Sequence, residues 1–178
     1  IGLEIFLLVQ DPWRVFLTTD HPNGAPFTTY PHLIRLLMDR SFRNERLGLI
    51  NADAQALSTL GSIDREYSLY EIAILTRAAP ARLLGLGGLG HLAPGALADI
   101  TVYRDDPDRE RMFSAPEYVF KDGEVVVRDG KVVKVTWGRY HRVQPEYDHG
   151  IERRLADHFD RYQTMRSDHL RITPDEMH

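Results

Sequence analysis

Val15-Phe16-Leu17-Thr18-Thr19-Asp20-His21-Pro22-Asn23-Gly24 is the stretch on which the fold turns. Its first five residues are apolar or β-branched, and a short run of that kind reads as a buried strand. The run stops abruptly. Pro22 has no N–H to give to a ladder, and Asn23-Gly24 favours a turn with positive φ. Asp20 therefore stands at the carboxyl end of a strand, where a loop opens.

Downstream, Tyr30 to Arg43 has helical spacing, with Leu33, Leu36 and Leu37 on one face and Arg35, Asp39, Arg40 and Arg43 carrying charge. Asn51 to Leu60 fits another short helix. Ser68-Leu69-Tyr70-Glu71 matches a capping box and predicts a helix that turns Leu69, Ile72 and Ala73 inward. Pro80 ends that helix and suits the first turn of the next, Ala81 to Leu84, with Gly85 as its stop. Gly85, Gly87, Gly88 and Gly90 then form a flexible link.

The pattern changes beyond Pro94. Ala98 to Tyr103 and Tyr118 to Phe120 read as strands, and Asp122-Gly123 and Asp129-Gly130 are hairpin signals between valine-rich runs. Residues 95–136 thus predict antiparallel strands without intervening helices. Gly150 to Tyr162 returns to helix, with Ile151, Leu155, Phe159 and Tyr162 on one stripe, and the last dozen residues are polar enough to fray.

Composition narrows the chemistry. The 178 residues carry a net charge of −4, which leaves no basic footprint for nucleic acid. Arg35 to Arg46 is expected on a solvated helix face. No apolar run approaches the roughly 20 residues of a membrane span, and the apolar start, Ile1 to Leu8, lacks the basic flank of a signal peptide. The chain contains no cysteine, so thiolate nucleophiles and Cys-ligated zinc are excluded, and a metal must be held by His or carboxylate. A cysteine-free chain fits a cytoplasmic protein. The start at Ile1 reads like the middle of a longer protein.

The order of strand, Asp, helices and a small all-β piece matches the end of a β/α barrel, whose catalytic groups come from the carboxyl ends of strands. A barrel needs roughly 250 residues, so this chain can supply only its last strand and following helices. An Asp so placed can ligate a divalent metal with one oxygen and take a proton with the other. The metal lowers the pKa of the water it holds to about 7, and the Asp returns the proton to a leaving amine. Asp, Pro, Asn and Gly also build plain turns, and spacing alone favours that reading over catalysis.

Leu17-Thr18-Thr19-Asp20-His21-Pro22-Asn23-Gly24-Ala25-Pro26-Phe27, with Tyr30-Pro31 and Leu36-Leu37-Met38, resembles the A-subunit family of formylmethanofuran dehydrogenase, above all its bacterial formyltransferase/hydrolase complex branch. Thr76 to Leu86, Gly95 to Val102, and Asp122-Gly123 through Val133 are similar to the wider amidohydrolase superfamily. Trp137 to Tyr162 resembles the C-terminal extension peculiar to the A-subunit.

The resemblance implies the end of a TIM-like (β/α)8 barrel of a metal-dependent hydrolase in residues 1–94, part of a composite β-sandwich in 95–136, and an extension with a helix in 137–178. It implies a binuclear zinc centre, methanofuran as the substrate carrier, and hydrolysis of formylmethanofuran to formate, or the reverse, in C1 metabolism. Asp20 corresponds to the catalytic and zinc-ligating aspartate. His21 and Asn23 are candidates for substrate contact. The family's His-x-His pair, carboxylated lysine and later histidines have no counterpart in the chain, which alone is expected neither to bind the metal pair nor to turn over. The implied partners are the complex's other subunits, with Arg139, Tyr140 and His141 as interface candidates.

His32 is expected to be structural, and His91, His141, His149, His158 and His169 have no metal-ligand spacing. Asp99 is expected to make a polar contact at a strand edge. Two other readings stand beside the family one. These are a cyclic-amide hydrolase of the dihydroorotase or hydantoinase kind, and an assembly component that has lost its metal.

Overall fold

In the computed structural model of the protein, which describes residues 2–138 and 147–170, two compact units are present, Ile1–Val143 and Gln144–His178. The first begins with α1 (Gly2–Leu8), and Val15–Asp20 follows as extended chain. Burial alternates along that segment as a strand requires. Val15, Leu17 and Thr19 turn inward while Phe16, Thr18 and Asp20 are exposed. No ladder forms among the described residues, however. A backbone bond from Leu17 N–H to the Leu75 carbonyl, at 3.4 Å, ties the middle of the segment to the helices. The expected strand is therefore present as conformation and side-chain alternation, without a partner strand among the described residues.

The helix expected over Tyr30 to Arg43 is two helices, α2 (Tyr30–Met38) and α3 (Arg40–Leu47). Asp39 divides them. Its backbone is extended (φ −130°, ψ 98°), and its carboxylate accepts from Phe42 N–H at 2.9 Å as the N-cap of α3. Arg43 also departs from expectation. It is 1% exposed, and its guanidinium donates to the carbonyls of Leu36, Ile63 and Arg65 at 3.0–3.1 Å. It holds three backbone segments together rather than lying on a solvated face.

α4 (Ala52–Ala56) is capped by Asn51, whose side chain accepts from Asp53 N–H. The Ser68–Glu71 capping box opens α5 (Leu69–Ala73). Leu69 and Ala73 are exposed, and the inward residues are Ile72, Ile74 and Leu75. α5 runs into a π-helical turn, Ile74–Ala78, and from there into α6 (Ala79–Leu83). Pro80 occupies the first turn of α6, where a missing N–H costs nothing, and the helical run is not interrupted. Gly85 closes α6 at φ 67°. Gly90 is more than a link: a Cβ there would meet the Arg77 carbonyl oxygen at 2.8 Å and Ala81 Cβ at 2.7 Å.

The core gathers Leu7, Ile34, Leu37, Tyr67, Ile72 and Leu75. Val15 and Leu17 pack on its rim, so the extended segment buries one side against the helices and leaves the other open.

Strands β1 (Ile100–Val102), β2 (Tyr118–Lys121), β3 (Glu124–Arg128) and β4 (Lys131–Val132) form one antiparallel sheet in sequence order. Both Asp-Gly hairpins occur as expected, with positive φ at Asp122, Gly123, Asp129 and Gly130. Asp99 accepts from Asp122 N–H at 2.9 Å and pairs with Lys121, the strand-edge role expected of it. One expectation fails. A helix, α7 (Arg109–Ser114), intervenes between β1 and β2, capped by Asp108, which accepts from Arg111 N–H at 3.1 Å. It packs on α2, where Arg35 donates to Asp108 at 3.2 Å and His32 Nδ1 lies 3.2 Å from Glu110. These contacts link α7 to α2.

The second unit contains α8 (Gly150–Tyr162) as expected, with Ile151, Leu155 and Tyr162 exposed. Arg139, Tyr140 and His141 lie outside the described residues, as do residues 171–178.

Candidate functional site

The site is the loop that leaves the extended segment. Thr19 is 6% exposed, and Asp20, directly after it, takes a left-handed backbone at φ 51°. That conformation costs an L-residue roughly 1–2 kcal/mol and is tolerated best by Asn and Asp. Asp122 and Asp129 share it, but each of those precedes a glycine in a hairpin that demands it. Asp20 has no such hairpin.

The loop is closed instead by backbone bonds. Gly24 N–H donates to the Asp20 carbonyl at 2.8 Å, and Ala25 N–H to the Thr19 carbonyl at 2.9 Å. Asp20 N–H reaches Thr18 Oγ1 at 3.3 Å. Gly24 itself has no positive φ, contrary to the turn chemistry expected of Asn-Gly. Its requirement is space, because a Cβ would stand 2.5 Å from the Thr19 carbonyl oxygen and 3.1 Å from Asp20 Cβ. The His21–Pro22 peptide is cis.

Asp20, His21 and Asn23 are all exposed on this one loop. The His21 ring stacks on Phe27, centroids 4.0 Å apart and planes 24° from parallel. Phe27 begins a 3₁₀ turn, Phe27–Thr29, which Thr29 fastens by donating from its hydroxyl to the Pro26 carbonyl at 2.7 Å. Phe27 is not among the residues expected at this loop from sequence.

Thr19 Oγ1 is buried and has no hydrogen-bond partner among the described residues. Phe16 and Thr18, on the same side of the extended segment as each other, are exposed, Phe16 by 44%. Behind the segment, a cavity of about 310 Å³ is lined by Leu17, Tyr30, Ile34, Thr76, Arg77 and Phe113 among others, and Asp20 does not line it.

Among the described residues, no three His, Asp or Glu side chains come together as a metal site would require. The exposed Asp20 carboxylate is a single oxygen donor and does not by itself make a metal site. Of the other histidines, His91 is occupied structurally, its ring accepting from Ala93 N–H at 3.2 Å and contacting the Gly87 carbonyl at 2.9 Å.

The sequence model of the amidohydrolase family matches residues 3–133. The chain belongs to the amidohydrolase family. Within that family it is 49% identical, over 158 residues, to the A-subunit of the formyltransferase/hydrolase complex Fhc of Methylorubrum extorquens, covering 89% of this chain and 29% of the relative. It is 48% identical over 146 residues to the protein FwdA of Methanocaldococcus jannaschii, covering 78% of this chain and 26% of that one.

A solved structure of similar fold is the crystal structure of the M. extorquens formyltransferase/hydrolase complex FhcABCD with methylofuran. It matches at a TM-score of 0.77 and 48% identity, over 90% of this chain and 30% of that one. The chain thus spans under a third of the length of the curated relatives it matches. The amidohydrolase membership and the antiparallel sheet agree with the expectations from sequence. No helix among the described residues is long and apolar enough to cross a membrane.

Proposed function

We propose that this chain supplies Asp20 as the proton-handling carboxylate of a metal-assisted formamide hydrolysis, acting on the formylated amine of a methanofuran-type carrier. Asp20 also serves as one ligand of a binuclear zinc centre. In this reading residues 1–94 close a β/α barrel and residues 95–136 complete a β-sandwich. The chain works as part of the A-subunit in a formyltransferase/hydrolase-type complex of C1 metabolism.

The observation that carries the reading is Asp20 itself. It is held in a left-handed conformation by backbone bonds on both sides, and it is exposed at the end of a segment whose other side is buried against helices. Left-handed backbone at a non-glycine residue outside a hairpin is a strained feature of the kind that clusters at functional sites. The 48% identity to a structure solved with methylofuran supports the choice of substrate class.

A bound divalent metal would supply a Lewis acid and water made acidic enough to attack at neutral pH. Asp20 does the proton work. As the water oxygen bonds to the formyl carbon, the carboxylate takes a proton from it. As the C–N bond breaks, Asp20 passes that proton to the departing nitrogen, so formate and the free amine leave and the carboxylate is restored. The reverse direction uses the same two transfers in opposite order. In this reading His21 and Asn23 contact the substrate, which their exposure on the same loop supports.

The test is formate release by the full-length chain in its complex, with Asp20→Asn against the unsubstituted protein and metal content measured in both. The expected outcome is a fall in kcat on the order of 10²–10⁴. Unchanged turnover would reduce the Asp20 loop to a turn and leave the chain with an assembly role.

A further inference from the structure

We propose that Thr18 is the positioning residue of Asp20: its hydroxyl, by holding the Asp20 N–H, sets the direction in which the Asp20 carboxylate leaves the backbone. The proposal rests on the reading of Asp20 above and adds a residue that acts only through it.

The direction of a side chain follows from the two planar peptide units that meet at its Cα. At Asp20 both are pinned. On the N-terminal side, Asp20 N–H donates to Thr18 Oγ1 at 3.3 Å. On the C-terminal side, the Asp20 carbonyl accepts from Gly24 N–H at 2.8 Å. Thr19, between the two threonine-aspartate partners, is buried, and its carbonyl accepts from Ala25 N–H at 2.9 Å. Together these bonds hold Asp20 at φ 51°, a conformation that an L-residue leaves for ordinary backbone unless it is held. Of these bonds, the first alone is made by a side chain.

The acceptor is the part of Thr18 that matters. Valine has the same branched shape and no oxygen to accept the N–H. Thr18 is exposed, so Thr18→Val removes no buried contact and opens no cavity. Without the bond, the peptide unit before Asp20 is free to turn, the left-handed conformation relaxes, and the carboxylate swings with it. Proton transfer needs that carboxylate within hydrogen-bond reach of the attacking water and then of the departing nitrogen. A swing therefore lowers turnover and leaves substrate affinity as it was.

The experiment uses the full-length chain in its complex and compares the unsubstituted protein with Thr18→Val, Thr18→Ser, Asp20→Asn and the Thr18→Val/Asp20→Asn double variant. It reads kcat and KM for formate release, metal content, and hydrogen exchange of the Asp20 amide by mass spectrometry. In Thr18→Val, kcat should fall roughly 2–10-fold, the contribution of one hydrogen bond, with KM and metal content unchanged. The Asp20 amide should exchange faster. Thr18→Ser keeps the acceptor and should restore both. In the Asp20→Asn background Thr18→Val should remove nothing more, because the base it orients is gone.

Three results overturn the positioning role. One is an Asp20 amide that exchanges no faster in Thr18→Val. Another is the same fold-loss in both backgrounds, which makes Thr18 independent of Asp20. The third is a raised KM with kcat kept, which is the behaviour of a substrate contact. A crippled Asp20→Asn beside a fully active Thr18→Val also sinks the positioning role, and it does so alone. Full turnover in Asp20→Asn instead overturns the reading of Asp20 itself.

Discussion

Gly24 lies so close over Thr19 that a Cβ on it would stand 2.5 Å from the Thr19 carbonyl oxygen. The partner atom is backbone, which cannot rotate aside, and Thr19 is anchored by its own burial and by accepting from Ala25 N–H at 2.9 Å. Gly24→Ala must therefore move the loop that carries Asp20. The expected cost is about 1–3 kcal/mol, the range for forcing a methyl into occupied space. It should appear as a lower midpoint in thermal unfolding of the full-length chain and, on the proposed function, as a fall in formate release with metal content unchanged. Full activity in Gly24→Ala would mean the loop has slack that its hydrogen bonds do not suggest.

Arg43 makes a second prediction, about stability alone. Its guanidinium serves the carbonyls of Leu36, Ile63 and Arg65, and burial pulls its pKa below the usual value, with the Glu66 carboxylate partly offsetting that. Arg43→Met keeps much of the volume and strands three carbonyl acceptors, each costing about 1–3 kcal/mol when buried without a partner. A loss of about 3 kcal/mol or more is expected in denaturant unfolding. Arg43→Lys should recover only part of it, since an ammonium cannot span three divergent carbonyls as the planar fork does.

Arg43 also shows where sequence reading stops. Arg35, Arg40, Arg43 and Arg46 look alike along a helix, and nothing local distinguishes the one whose partners, Ile63 and Arg65, lie some twenty residues on. The same holds for Asp39, which reads as one more charge on a helical face until its extended backbone is seen. Local chemistry was legible where the residues involved are neighbours. The Ser68–Glu71 box, the Asp-Gly hairpins and the Gly85 stop all act within four residues.

α7 was not legible, because Arg109–Ser114 is a six-residue helix that gains its support from α2. The position of Asp20 at the end of an extended run could be read from Val15–Thr19 alone. The steric need at Gly24 and the stack of His21 on Phe27 are three-dimensional facts that spacing does not encode.

Acid should loosen the docking of α1. The Glu4 carboxylate accepts from the Thr59 N–H at 2.5 Å, the Thr59 hydroxyl at 2.9 Å and the Ser58 hydroxyl at 3.1 Å. The backbone bond from Thr59, then its hydroxyl bond, hold the Glu4 pKa down at about 2, against an ordinary value of 4.5. A pKa depressed in the folded state contributes stability that is fully present above the unfolded value and is lost as pH falls through the folded one. Unfolding followed from pH 5 to pH 2 should therefore show a component that declines through this window. Glu4→Gln should be less stable than the unsubstituted protein at pH 7 and lose less on acidification. Parallel pH curves for the two proteins would contradict the assignment.

Asp39 divides α2 from α3, and the two jobs of its carboxylate can be separated. It caps α3 by accepting from Phe42 N–H at 2.9 Å and from Ser41 Oγ at 2.8 Å, and it pairs with Arg35 at 3.4 Å. Burial would raise its pKa, but those hydrogen bonds and the Arg35 charge outweigh it and hold the value below the usual one. Asp39→Ala removes both functions and should cost about 0.5–2 kcal/mol from the lost cap alone. Asp39→Asn keeps a capping oxygen and loses only an ion pair that is partly open to solvent, so it should cost about 1 kcal/mol or less. Both variants lack the pair, so the gap between them, read from denaturant midpoints, measures the cap. The cost of Asp39→Asn against the unsubstituted protein measures the pair and should shrink between about 0.1 M and about 1 M salt. A gap larger than that cost assigns the break between the helices to the cap, and a cost larger than the gap assigns it to Arg35, which also pairs with Asp108 on α7.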